Sequence, residues 1–135
     1  MAKVKKINHV AVVVENIENS LSFWEGALGI KMHKVEDVPA QKARVAFLAV
    51  GDGELELVQP TDPESGTGKF LKERGGGMHH LCLEVDDIAG MLTRLKEQGF
   101  RLINETPVEM EGRKFAFIHP KSASGVLVEL YELKP

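Results

Sequence analysis

A chain of 135 residues, 43% hydrophobic and 27% charged, is the size of one compact domain or of two very small halves sharing a core. A formal net charge of −3 without a long basic run argues against a nucleic-acid partner and against an anionic membrane surface. The single cysteine, Cys82, excludes an internal disulfide, so the expected setting is a reducing one, the cytoplasm.

The opening MAKVKKINHV carries two basic clusters, but the apolar run behind them, Val10 to Val14, is far too short for a signal or membrane segment. Ile7–Val14 reads as a strand, rich in β-branched and apolar residues. Ile17, Leu21, Trp24 and Leu28 then recur at helical spacing, with Asn16 placed to cap the helix and Gly29 to stop it. Three short strands follow over Lys31–Val38, Arg44–Val50 and Glu54–Gln59, the last two joined by a tight hairpin at GDG (51–53). The Pro- and Gly-rich stretch PTDPESGTGKFLKERGGG is a linker whose middle, Gly68–Arg74, is predicted as a short helix. A second strand-and-helix pair comes next: His79–Val85, then Ile88, Met91, Leu92 and Leu95 at helical spacing between Asp87 and Gly99. Strands over Arg101–Val108, Lys114–His119 and Val126–Glu132 complete the chain, with HPKSASG (119–125) as the loop before the last.

This order repeats itself. His9 falls on His80 at an offset of 71 (80 − 9). At the same offset Ala11 meets Cys82, Val14 meets Val85, Ile17 meets Ile88, Leu21 meets Leu92 and Trp24 meets Leu95. Gly29 meets Gly99 after a slip of one residue, GELELVQ matches GVLVELY, and Glu56 falls near Glu129. The expectation is a single domain over 1–135, made of module one (5–60), a linker (61–76) and module two (77–133).

Four residues stand out in the repeat. Because side chains alternate along a strand, His9 shares a face with Ala11 and Val13, and His80 with Cys82 and Glu84. Glu56 and Glu129 point away from their apolar neighbours on the final strand of each module. Burying a lone carboxylate on a sheet costs roughly several kcal/mol unless something pairs with it. Two carboxylates beside two histidines repel one another without a cation, and a divalent ion resolves the conflict; imidazole nitrogen with carboxylate oxygen suits zinc, cobalt, nickel, manganese or iron. A single strand histidine is more often a hydrogen-bonded core or surface residue, but here His and Glu recur together at matched positions. The remaining histidines carry less. His79 points to the other face, His33 has no counterpart and is read as exposed, and His119 either lines the site or caps a loop. Cys82 reads as a small buried hydrophobe and Trp24 as helix core.

The segments INHVAVVVENIENSLSFWEGALG, VAFLAVGDGELELVQP, GGGMHHLCLEVDDI and FAFIHPKSASGVLVEL resemble the vicinal oxygen chelate (glyoxalase I-like) superfamily, and within it the methylmalonyl-CoA epimerases. The resemblance implies an α+β fold in which two tandem βαβββ modules form an open, eight-stranded, barrel-like mixed sheet around a metal, in a homodimer. It places the ligands at His9, Glu56, His80 and Glu129, and the metal is a divalent ion, most often Co2+, with Zn2+, Ni2+ or Mn2+ possible. The reaction it implies is exchange of the C2 proton of a CoA thioester, with Glu129 as one acid–base group. Some relatives carry a second glutamate in the third strand where this chain has Val45, which leaves Glu56 or a metal-bound water for that role. Lys121 and Ser122 are expected to meet the pantetheine or the substrate carboxylate. Two rivals share the superfamily. A glyoxalase I uses the same ligand types but more typically reads DPDG where this chain has HPKSASG, and the ligand-sequestering binding proteins commonly lack the metal ligands.

Overall fold

A computed structural model describes residues 1–135. It is mixed α+β, with strands β1 (Val4–Val13), β2 (Met32–Val38), β3 (Ala43–Val50), β4 (Gly53–Pro60), β5 (Gly77–Val85), β6 (Val108–Met110), β7 (Arg113–Ile118) and β8 (Val128–Leu133). The α-helices are α1 (Ile17–Leu21), α2 (Gly66–Arg74) and α3 (Ile88–Glu97). The α+β class and the repeated βαβββ order stand as the sequence reads. No helix is long and apolar enough to cross a membrane.

The chain divides into two compact units, His9–His79 and a second that joins Met1–Asn8 to His80–Pro135. In the first, the strand order is β2-β3-β4-β1, with β2, β3 and β4 antiparallel and β4 parallel to β1. In the second, the order is β5-β8-β7-β6, with β5 parallel to β8 and the remaining pairs antiparallel. A parallel pair needs a crossover, and each module places its helix directly after its first strand.

Burial follows the alternation of the strands. In the second unit α3 packs Ile88, Met91 and Leu92 onto Val85, Ala116, Ile118, Val128 and Leu130. In the first, Ile17 packs with Val14, Ala46, Leu48, Leu55 and Leu57 on one face of the sheet. Ala11, Val13, Ala43, Val45 and Val58 form a separate cluster, covered by Phe70 and Leu71 of α2.

The caps act as expected: Asn16 Oδ1 accepts from the Asn19 amide at 2.8 Å and Asp87 Oδ1 from the Gly90 amide at 3.0 Å. A further device repeats. Gln59 Oε1 on β4 accepts from the Ile17 amide at 2.9 Å, and Glu132 Oε1 on β8 accepts from the Ile88 amide at 2.8 Å. In each module, then, the closing strand holds the first amide of the helix.

Two expectations need correction. The periodic run through Leu28 is not one α-helix. After Leu21 the chain widens into a π-helical stretch over Ser22–Ala27, where the Leu28 amide reaches Phe23 O at 3.0 Å. The extra residue in that turn rotates Leu28 outward, to 53% exposure, while Trp24 still packs on the core. Nor does a strand run over Arg101–Val108. Leu102 makes an isolated bridge to Ile118, and β6 begins only at Val108. Pro107 has no N–H to offer a ladder, and Asn104 Oδ1 accepts from the Phe117 amide at 2.8 Å in place of a backbone carbonyl.

Candidate metal centre

In the unit His9–His79, β1 and β4 run parallel with Ala11 opposite Glu56. Opposed residues point to the same side of a sheet. Glu56 therefore shares a face with Ala11 and with His9, two residues earlier. His9 Nδ1 lies 3.4 Å from Glu56 Oε2, and the two side chains are 2% and 15% exposed. Phe47 lies opposite Glu56 and Val45 opposite Val58, so the third-strand position is an apolar side chain packed into the cluster beside the pair on the same face.

The other unit builds the same arrangement. Cys82 of β5 lies opposite Glu129 of β8, and Phe117 of β7 opposite Glu129 on its other side. His80 Nε2 lies 3.1 Å from Glu129 Oε1, with side chains 13% and 8% exposed. The His80 ring stands edge-on to Phe117 at 5.7 Å and 87°, which holds the imidazole in place. Each unit thus brings a borderline nitrogen donor and a carboxylate oxygen together on one sheet face. The donor chemistry of both pairs fits a divalent transition ion.

The family model described as Glyoxalase/Bleomycin resistance protein/Dioxygenase superfamily matches residues 8–117. The chain belongs to this superfamily. Among relatives within it, the mitochondrial methylmalonyl-CoA epimerase of Mus musculus is 38% identical over 130 residues, covering 95% of this chain and 73% of that protein. The ethylmalonyl-CoA/methylmalonyl-CoA epimerase of Cereibacter sphaeroides is 34% identical over 133 residues, covering 96% and 99%. The crystal structure of methylmalonyl-CoA epimerase from Mycobacterium tuberculosis superposes with a TM-score of 0.87 at 36% identity, covering 98% of this chain and 90% of that one.

Against the background of a glyoxalase-superfamily fold, the other candidate residues separate. His33 is exposed and bonds Glu54 at 2.6 Å, and His79 stands edge-on to Phe70 at 5.1 Å. His119 caps its loop, its Nδ1 accepting from the Lys121 amide at 3.1 Å. Burial, first, and then the charges of Arg101 and Lys121 lower the His119 pKa. Ser122 Oγ accepts from the Arg101 amide at 2.7 Å, and Lys121 is exposed.

Two features escape the sequence reading. Cys82 is buried as expected, but its thiol also lies within 4.8 Å of a Glu129 carboxylate oxygen. Glu84 is a buried carboxylate on the His80 face of β5, held by Asn8 Nδ2 at 3.2 Å and Lys5 Nζ at 3.5 Å. The signal for it was its own strand position, two residues past Cys82 in an apolar run.

Proposed function

We propose that this chain is a metal-dependent epimerase that interconverts (R)- and (S)-methylmalonyl-CoA by removing and returning the proton at C2. The reading is carried by one observation: matched His–Glu contacts at 3.4 and 3.1 Å, one in each half of a duplicated chain, whose 34–38% identical relatives are named for that reaction.

His9, Glu56, His80 and Glu129 are assigned as ligands of one divalent cation. What supports the assignment is their equivalence under the repeat and the affinity of paired imidazole and carboxylate donors for such ions. Co2+ is the first choice, with Zn2+, Ni2+ and Mn2+ as alternatives. A divalent cation bound there supplies positive charge that makes the enolate of the substrate less costly to form.

What remains for the side chains is proton transfer. C2 lies between a thioester and a carboxylate, so its proton is already acidified by delocalisation into both. Inversion needs an acid–base group on each face of the flattened carbon. Glu129 takes this role on one face. Glu56, the equivalent carboxylate of the other module, takes it on the opposite face, since Val45 carries no transferable proton. Lys121 and Ser122 are assigned to the CoA portion. A homodimer in a reducing cytoplasm completes the proposal, on the family resemblance and on the buried, unbridged Cys82.

The test is C2 proton exchange in deuterated buffer, followed by NMR on the metal-loaded protein with methylmalonyl-CoA. The glutathione–methylglyoxal adduct is assayed in parallel. Exchange with epimerisation supports the assignment; turnover of the adduct alone replaces it with a glyoxalase I.

A further inference from the structure

We infer that Arg113 binds the ionised carboxylate of a 2-carboxyacyl thioester, an inference that rests on the epimerase reading above. Side chains alternate along β7, so Arg113, Phe115 and Phe117 share a face, while Ala116 and Ile118 pack into the core with α3. Along β8, Glu129, Tyr131 and Leu133 share a face in the same way. The register sets these residues side by side: Phe117 opposite Glu129, Phe115 opposite Tyr131 and Arg113 opposite Leu133. Arg113 therefore lies on the sheet face that carries His80 and Glu129, within one unit.

Side-chain contacts run along this face. The His80 ring meets Phe117 at 5.7 Å, and Phe117 meets Phe115 at 6.0 Å. The Arg113 guanidinium lies over the Tyr131 ring, 5.1 Å from its centre, so the cation reaches back from the end of β7 to the row next to Glu129. It is short of acceptors there. Its N–H groups find one thioether, Met110 Sδ at 3.6 Å from Nη2, and the face of one ring. Nε is shut off from water and has no acceptor. Other basic side chains of the unit face acids: Lys96 reaches Glu105 at 2.7 Å and Lys134 reaches Glu109 at 3.1 Å. The buried acid of the Tyr131 row, Glu84, lies on the β5 side and is taken up by Asn8 and Lys5. A half-buried cation without a counter-ion is costly to fold, and buried donors are otherwise nearly always met. An oxyanion bound on this face supplies both the charge and strong acceptors, and the planar fork of a guanidinium matches a carboxylate.

The spacing selects the carboxylate. A general base works at about 3 Å from the atom whose proton it takes, which sets C2 beside Glu129. A carboxylate on C2 places its oxygens about 2.4 Å beyond that carbon, and a charge-assisted hydrogen bond adds about 2.8 Å. Glu129 and a guanidinium one row on, about 7 Å along the strand, are therefore spanned by one malonyl-type acyl group. Paired with that carboxylate, the guanidinium also lowers the cost of the second negative charge that appears when the C2 proton leaves.

The experiment is calorimetric titration of the metal-loaded, full-length protein with racemic methylmalonyl-CoA and with propionyl-CoA, which differs only in lacking the carboxylate. Wild type, Arg113→Gln and Arg113→Lys are compared. Wild type is expected to prefer methylmalonyl-CoA. Arg113→Gln is expected to lose about tenfold or more in affinity for it and none for propionyl-CoA, so the preference shrinks by that factor. Arg113→Lys keeps the charge without the fork and falls between the two. Metal content and thermal midpoint are expected to match wild type. Should Arg113→Gln lose metal or fold, Arg113→Lys decides on the same ratio. The inference is overturned by a wild type without the preference, by a variant that retains the full preference, or by equal weakening of both thioesters. C2 proton exchange is followed separately. A preference that depends on Arg113 without any exchange would reject the epimerase reading and leave the carboxylate site standing; exchange with a preference that ignores Arg113 would do the reverse.

Discussion

Glu129 is held on three sides, by Cys82 on one neighbouring strand, Phe117 on the other and the His80 imidazole at 3.1 Å. Glu129→Gln keeps that packing and removes the charge and the basicity. It is expected to lower C2 proton exchange by about 10²- to 10⁴-fold with an unchanged far-ultraviolet spectrum; exchange at the wild-type rate would remove Glu129 from its role. Glu84 makes a different prediction, one of stability. Glu84→Ala removes the hydrogen bond that this buried carboxylate accepts from the Asn8 side chain, a loss of about 1–3 kcal/mol by urea unfolding. Glu84→Gln keeps an acceptor for Asn8 and loses only the contact to the exposed Lys5 ammonium, for less than about 1 kcal/mol. The contrast between these residues shows what a sequence can reveal at this scale. His9, Glu56, His80 and Glu129 are legible because one His and one Glu interrupt apolar strands in each module, at matched positions. The position matching Glu84 in the first module is Val13, so the repeat gives no second instance to compare. The nearness of the Cys82 thiol to Glu129 depends on the register of β5 against β8, which no spacing within either strand encodes.

Secondary elements were legible where local chemistry is enough to fix them. Asn16 and Asp87 cap their helices, Gly29 and Gly99 take the left-handed conformation at φ 78° and 84°, and Gly51 turns the GDG hairpin at φ 55°. Where a partner from elsewhere decides, the pattern misled: Asn104 replaces a ladder carbonyl for Phe117, and the π-helical stretch shifts Leu28 outward. The side-chain caps from the closing strands are of this long-range kind, and they set a prediction. Gln59→Ala and Glu132→Ala each leave a first-turn amide without its acceptor, so each is expected to cost about 1 kcal/mol, read as a lowered denaturation midpoint. Similar losses at the two sites are expected of one device used twice; a loss at one site alone would mean that the modules hold their helices differently. Gly68 is a sterner case. A Cβ there would stand 2.2 Å from Asp62 O and 2.8 Å from Pro63 backbone atoms, none of which is a flexible side-chain end. Gly68→Ala is expected to displace the start of α2 and lower the thermal midpoint.

For the whole molecule the charge pairs and the proposed metal act through different solution variables. Hydrogen bonds, chiefly from the Arg44 side chain to Glu18, from the Glu64 amide to Asp62, from the Lys3 amide to Asp86 and from the Lys96 side chain to Glu105, hold these carboxyls below their ordinary pKa. A carboxyl lowered by folding contributes stability above its unfolded pKa, and that contribution is lost as pH falls through the folded value. Acid should therefore have little effect through these groups near neutrality and a growing one below their ordinary values of 3.8 to 4.5. Metal acts instead at neutral pH. A ligand that binds only the folded state stabilises it by about 2.7 kcal/mol when present at a hundredfold excess over its dissociation constant. For a chain of this size that is a shift of several degrees. Chelation at neutral pH is thus expected to lower the thermal midpoint, and Co2+ or Zn2+ to restore it. His9→Ala and His80→Ala, one in each module, are each expected to lose bound metal by elemental analysis and to show a midpoint that no longer responds to chelator, at unchanged secondary structure. Were either variant to keep its full metal content, that histidine would fall out of the ligand set, and the equivalence of the two modules would no longer extend to their chemistry.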